Sequence, residues 1–286
     1  MTLADRRALD HVIIAVQDLK DAGTSWEELG FRVLPRMPHL VSGSANRIIQ
    51  FGANYLELLG ELDALISPDH RRHYSGRFAF GEGLTNVCFS STDLAADRAA
   101  VEAAGIAVGP IGSARRPVVM PDGRTEMTDT DYFYPRREAR PYAAPFLAEH
   151  RRPETIFIAE YGDHPNSASG IVGVVHYSAD SAQDAAFFAR MSGGTAEAIE
   201  GGRRLRLAGD AAIELLDAPT LRGRYGAALP ILDGRTDGYG VGLKIAVRSL
   251  AACRDAVAYA ASETADGLLV PAGAASGCFL LFCARS

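Results

Sequence analysis

Apolar residues along this chain fall into short runs that end abruptly at a polar pair, and the pattern occurs four times. The copies occupy 10–19 (DHVIIAVQDL), 85–94 (TNVCFSSTDL), 172–181 (VGVVHYSADS) and 241–250 (VGLKIAVRSL). Each run is short and rich in β-branched residues, which marks a buried strand. Each is followed by Asp or Ser and an Ala-rich stretch of helical composition. Internal repetition of this kind governs the fold before any single motif does.

Reading onward from each copy predicts four similar units. The first has a strand over 10–17, a helix over 20–29 ending at Gly30, and strands over 31–36, 46–52 and 54–59. The second has a strand over 84–91, a helix over 94–104, and strands near 106–109, 127–135 and 154–161, with a Pro- and Arg-rich insertion at about 136–153. The third has a strand over 171–178, a helix over 181–191, and strands near 195–199, 203–208 and 211–216. The fourth has a strand over 240–247, a helix over 250–261, and strands near 268–270 and 278–284. Each unit is βαβββ. The polar, turn-forming stretch Gly162–Gly170 is the expected boundary, giving units 1–165 and 166–286.

Composition narrows the function. Hydrophobic residues make up 48% of the 286 positions and charged residues 22%, as in a globular protein. A net charge of −6, with arginines scattered or beside acids, argues against a nucleic-acid surface. The first residues carry no apolar signal core and no run approaches membrane-spanning length, so a cytoplasmic protein without a membrane partner is expected. Cys88, Cys253, Cys278 and Cys283 form no Cys-x-x-Cys pair and read as reduced packing residues.

Comparing the copies isolates candidate chemistry. His11 stands in the first strand among Val12, Ile13, Ile14, Ala15 and Val16, sharing a face with Ile13 and Ala15. It reads either as a core histidine or as a metal ligand. Glu57, inside Tyr55-Leu56-Glu57-Leu58-Leu59, is a carboxylate among leucines. Burial there is costly unless the charge is paired or coordinated, and a solvated edge strand is the alternative. The corresponding first-strand positions in the other copies hold Asn86, Gly173 and Gly242.

The four βαβββ units, the phrase Leu9-Asp10-His11-Val12 and the closing strand around Glu57 resemble the vicinal oxygen chelate superfamily, and within it the glyoxalase-like proteins. The resemblance spans nearly the whole chain. It implies an α+β fold in which four modules form two half-open mixed β-barrels with helices outside. The superfamily includes isomerases, lyases, dioxygenases and antibiotic-binding proteins. Its metal ligands come from the first and last strands of each module. On that resemblance His11, Glu57 and Glu160 are the expected metal ligands, and Glu160 also the catalytic base. Glu160 alternatively reads as a strand-end residue facing water. Asn86, Asn46 and Arg47 are expected to contact substrate, Arg47 through its planar fork, with a weak metal ligand the alternative for Asn86 and a surface arginine the alternative for Arg47. The implied cofactor is one divalent ion, zinc, nickel, manganese or iron(II).

The second barrel looks unlike the first. Glu214 matches Glu57, but Gly173 stands at the histidine position, and His176, three residues on, faces the other way by parity. This barrel is expected to serve as scaffold or dimer surface. His164 reads as a turn residue, and Tyr132-Phe133-Tyr134 as a strand with one aromatic face toward the pocket. The expected activity is metal-dependent lyase or isomerase chemistry on a small molecule with vicinal oxygens. The alternatives are a non-catalytic binder of an antibiotic-like ligand and an extradiol-type dioxygenase. A small-molecule partner and a possible homodimer complete the expectation.

Overall fold

The repeated Asp or Ser is a helix cap. In the computed structural model, which describes residues 6–64, 78, 80–136, 144–232 and 239–285, Asp18, Asp93, Asp180 and Ser249 each accept hydrogen bonds from backbone N–H groups of a first helical turn. They open α1 (Leu19–Glu28), α2 (Leu94–Ala103), α3 (Ser181–Ser192) and, after α4 (Ala218–Tyr225), α5 (Leu250–Val257). Leu19, Ala22 and Trp26 of α1 and Leu94 and Val101 of α2 turn into the core.

The strands are β1 (Leu9–Ala15), β2 (Met37–Pro38), β3 (Ala45–Gln50), β4 (Tyr55–Gly60), β5 (Gly83–Ser90), β6 (Gly112–Ala114), β7 (Pro117–Val119), β8 (Thr125–Met127), β9 (Thr130–Phe133) and β10 (Ala144–His150), followed by β11 (Ala168–Tyr177), β12 (Thr195–Ile199), β13 (Gly202–Arg206), β14 (Ala212–Leu216), β15 (Tyr239–Val247), β16 (Ser262–Thr264), β17 (Gly267–Val270) and β18 (Phe279–Ala284). Two eight-stranded mixed sheets result, β2-β3-β4-β1-β5-β10-β9-β6 and β12-β13-β14-β11-β15-β18-β17-β16, with β7 and β8 a separate hairpin. Both sheets curl into half-barrels, so the α+β class stands. Modules one and two share a sheet, joined through antiparallel β1 and β5, and modules three and four share the other through β11 and β15. One apolar cluster runs from Leu9 to Phe282 and includes residues of both sheets. Among the described residues no helix is long and apolar enough to cross a membrane.

Register makes the internal symmetry explicit. Val12 faces Val87 across the β1–β5 pair, so Asn86 is the counterpart of His11. Ile13 lies beside Glu57, and in the other half Cys88 lies beside Phe146, so Phe146 is the counterpart of Glu57. In the second sheet Val175 lies beside Glu214 and Val174 faces Leu243.

Several expected elements are placed differently, and at 106–109 only an isolated bridge from Val108 to Pro135 forms. Residues 31–36 form no strand; only Met37–Pro38 pairs with β3. The second module ends on Ala144–His150 rather than on 154–161. There Pro153 opens a short 3-10 turn, and Ile156 and Ile158 bury their apolar side chains without joining the sheet. The insertion expected at 136–153 thus contains the closing strand, and its residues 137–143 lie outside the described ones. Helix α4 was not foreseen, nor was hairpin β7–β8.

Candidate functional site

Alternation along β1 turns His11, Ile13 and Ala15 to the concave side of the first half-barrel, and β4 sends Tyr55, Glu57 and Leu59 to the same side. With Phe146 and Ala148 of β10 and Tyr132 of β9, these residues wall a cavity that His39, Ser42, Ser44, Asn46 and Arg116 also line. The cavity therefore draws on both modules. Leu40 N–H donates to the Arg115 carbonyl at 2.9 Å, tying the first module's loop to the second module's segment.

The polar groups inside form a directed network. His11 donates from Nδ1 to Asp10 Oδ1 at 2.6 Å, and the same oxygen accepts from His150 Nε2 at 3.0 Å. His150 Nδ1 accepts from the Thr130 hydroxyl at 2.8 Å. Burial opposes a charge on Asp10, but His150 and His11 outweigh it and hold its carboxyl well below the usual carboxylate range. With its Nδ1 proton engaged by Asp10, His11 presents the lone pair of Nε2 to the cavity, 3.9 Å from Glu57 Oε2. The ring is stacked on Tyr55 at 4.3 Å, which fixes its plane. Glu57 Oε1 accepts from Asn46 Nδ2 at 2.8 Å. The Asn46 Oδ1 atom is buried without a hydrogen-bond partner.

His39 completes this side. Its Nε2 is 3.0 Å from Asn46 Nδ2 and 3.5 Å from Glu57 Oε1, and its Nδ1 is 2.9 Å from Ser44 Oγ. Asn46 donating to Nε2 leaves the proton on Nδ1, where Ser44 accepts it. Burial pushes the His39 imidazolium below the ordinary histidine range, with Glu57 opposing and Arg116 reinforcing the shift.

The sequence-derived candidates divide clearly. His11, Glu57 and Asn46 meet at the cavity. Asn86 is buried but is not part of the cavity wall. Arg47, next to inward-facing Asn46, points outward by strand alternation, where it pairs with Glu27 at 2.5 Å and donates to the Leu34 carbonyl at 3.0 Å. Glu160 sits exposed on the turn Ala159–Gly162, because the strand expected to carry it to the barrel lies ten residues earlier. The structure does not bring it to the site. The position it was expected to fill belongs to Phe146.

Sequence reasoning passed over Asp10, His39, His150, Tyr55 and Arg116. Asp10 and Tyr55 stand in the phrases Leu9-Asp10-His11-Val12 and Tyr55-Leu56-Glu57-Leu58-Leu59. His150 was hidden by the misplaced strand: in Ala144–His150 the alternation Phe146, Ala148, His150 is legible once that stretch is paired with β5.

Whether these residues suit a metal ion follows from the donors. His11 Nε2, oriented by a carboxylate on its other nitrogen, is the usual arrangement of a ligating imidazole. Glu57 Oε2 lies within the separation that two ligands of one ion adopt, and Asn46 Oδ1 lacks any partner. The first-module half therefore fits a divalent cation. The second-module half, with Phe146, supplies no matching carboxylate. Asp10, His11 and Cys88 also have ligand atoms within 4.8 Å of one another. There, however, Asp10 Oδ1 is already shared by two imidazoles, and burial pushes the Cys88 thiol well up, with Asp10 and Glu57 adding to the effect.

In the second half-barrel the corresponding positions carry paired charges and apolar packing. Glu214 Oε1 accepts from Lys244 Nζ and Arg204 Nη2, both at 2.9 Å. A Cβ at Gly173, where His11 stands in the first barrel, would meet the Lys244 side chain at 2.9 Å. Tyr225 of α4 stacks on Phe279 at 4.2 Å, with Leu221 and Leu281 in the same apolar cluster. His176 faces the helical layer and meets Phe188 edge-on at 5.4 Å. His164 is buried at a chain crossing, accepting from Arg32 N–H at 3.0 Å and donating to the Gln50 carbonyl at 2.7 Å.

The curled sheets, and a cavity opened by a first-strand histidine and a closing-strand glutamate, define the vicinal oxygen chelate class. Within it, a match to the glyoxalase-like domain over residues 9–191 shows that the chain belongs to that family. No curated protein sequence matches it. Similar solved structures include a hypothetical protein from Staphylococcus aureus (12% identity, 97% of this chain and 99% of that one, TM-score 0.69). A variant of 4-hydroxymandelate synthase from Streptomyces coelicolor is also similar (14% identity, 99% and 94%, TM-score 0.53). So is a fusion of a xylose isomerase-like TIM barrel with 4-hydroxyphenylpyruvate dioxygenase (13% identity, 97% and 49%, TM-score 0.57). At these identities the likeness is one of fold.

Proposed function

We propose that the first half-barrel is the working site of a metal-dependent lyase or isomerase, acting on a small molecule with two neighbouring oxygens. The observation that carries this reading is the His11–Glu57 pair: a histidine whose tautomer is set by Asp10, facing a buried carboxylate across an aromatic-walled cavity. Those two residues would hold one divalent cation, with Asn46 beside them. When bound, the ion would polarise the substrate oxygens and stabilise developing negative charge.

The protein's own part is orientation and proton handling. Asp10 keeps the His11 proton on Nδ1, and Asn46 holds Glu57 through Oε1 so that Oε2 stays free. His39, neutral at physiological pH, is the proposed proton acceptor through Nε2, in place of Glu160. The aromatic walls around Tyr55, Tyr132 and Phe146 exclude water from the reacting centre.

Metal titration followed by thermal melting tests this. Zinc, nickel or manganese is expected to raise the Tm of the wild-type protein and leave His11→Ala unmoved. Equal responses in both would remove the basis of the reading. Phe146, where the pseudo-symmetry would put a second carboxylate, favours one other reading, a ligand-binding protein without turnover.

A further inference from the structure

Arg116 is a buried cation whose side chain has no hydrogen-bond partner among the described residues. It lies between β6 and β7, exposes 5% of its surface and borders the cavity. Its backbone is anchored: N–H donates to Thr128 Oγ1 at 3.1 Å, and its carbonyl accepts from Thr128 N–H at 2.9 Å. Its neighbour Arg115 points out to Asp129 at 3.3 Å. The Arg116 guanidinium, by contrast, has no hydrogen bond or ion pair among the described residues. It interacts with Tyr55 and Glu57 only at longer range. A buried guanidinium is ordinarily paired, so an orphaned one facing a cavity calls for a ligand.

A second orphan lines the same cavity and interacts with Arg116 electrostatically. The Tyr55 hydroxyl also has no hydrogen-bond partner among the described residues, although the residue exposes only 6% of its surface. A phenolic hydroxyl at this place can donate a hydrogen bond into the cavity. Fixed cation and neutral donor together suit an anion with two oxygens in one plane, the geometry a guanidinium binds best. The walls specify the rest of the ligand. Tyr134 and Phe146 stack at 4.7 Å, and Tyr132 meets Tyr134 edge-on at 5.5 Å, giving aromatic surfaces in the same cavity.

We infer that the ligand of this cavity is a small aromatic carboxylate, its carboxylate bound by Arg116 and the Tyr55 hydroxyl and its ring against Tyr134 and Phe146. This deepens the proposed function by naming a substrate class, and it rests on that cavity being the working site. It assigns Arg116 to recognition of substrate charge and leaves His11 and Glu57 to the reacting end.

The test uses phenylacetate and its uncharged isostere phenylacetamide, titrated calorimetrically into the full chain with and without chelator. Phenylacetate is expected to bind saturably in both conditions, and phenylacetamide about tenfold or more weakly, the loss of one charge-assisted hydrogen-bond set. Arg116→Gln is expected to abolish the preference and Arg116→Lys to keep part of it. Because the acid-to-amide comparison is made on the wild-type protein, it stands even if a variant fails to fold. Equal affinity for acid and amide, no saturable phenylacetate binding, or a preference unchanged in Arg116→Gln overturns the inference. A preference that vanishes with chelator also overturns it, while leaving the His11–Glu57 reading intact. An Arg116-dependent preference in a protein that holds no cation does the reverse.

Discussion

The decisive residue is one whose partner in sequence is also its partner in space. His11 gains a defined tautomer because Asp10 precedes it and both side chains are buried at 4% and 3% exposure. Asp10→Asn retains the shape but lets the imidazole adopt either tautomer. Metal affinity is therefore expected to fall by about 10- to 100-fold, as for other outer-shell partners, measured by competition with a chromogenic chelator. An unchanged affinity would mean that Asp10 serves folding alone. His176 illustrates the opposite case. Both its ring nitrogens are buried without partners, and burial pulls its pKa from 6.5 to about 4 despite Asp184. Because the folded pKa is depressed, the unfolded chain takes up the proton first as pH falls. The stability contributed by the neutral ring is whole above 6.5 and declines down to about 4. His176→Leu is expected to stabilise the protein by about 1 kcal/mol and to flatten this acid limb in urea titrations at pH 7 and pH 5. A less stable variant would show that the ring packs better than it is solvated. From sequence, His11 and Glu57 were legible because each breaks an apolar run. Arg116 was not, because a single arginine in an Arg-rich stretch gives no sign of which way it faces.

The elements reproduce the repeat more faithfully than the loops do. All four strand–cap–helix phrases fold as read, since short β-branched runs and N-caps are local signals. Asp93→Ala is expected to cost about 1 kcal/mol through loss of its bond to Ala96 N–H at 3.0 Å, seen as a lower urea midpoint. The misreadings have a common physical origin. Ile156-Phe157-Ile158 has strand composition, but Pro153 turns the chain before it can pair, and Ile156 and Phe157 pack against Leu34, Ile48 and Tyr55 instead. The true closing strand, Ala144–His150, is defined by its parallel partner β5, a long-range pairing that local composition does not encode. Helix α4 is the other surprise, and it gives the second barrel its character. Tyr225→Ala is expected to cost about 3 kcal/mol without affecting metal content or binding in the first barrel. Loss of both would show that the two barrels are coupled through this helix.

The whole molecule is a duplicated architecture whose two copies differ at the positions that line the first half-barrel's cavity. The first half-barrel presents His11, Glu57, His39 and Arg116 to a cavity. The second fills the corresponding space with Lys244, Arg204 and Glu214 in one ion cluster and with Tyr225 against Phe279. A buried carboxylate held by two cations has no call on a metal ion, whereas Glu57, hydrogen-bonded among the described residues by the neutral Asn46 amide, does. Metal stoichiometry therefore measures the central claim most directly. Elemental analysis of protein dialysed against excess zinc, nickel or manganese should find one ion per chain in the wild type, in Glu214→Gln and in Glu160→Gln, and none in His11→Ala or Glu57→Gln. Wild-type protein without bound metal, or a His11→Ala variant that retains the full complement, would contradict the account.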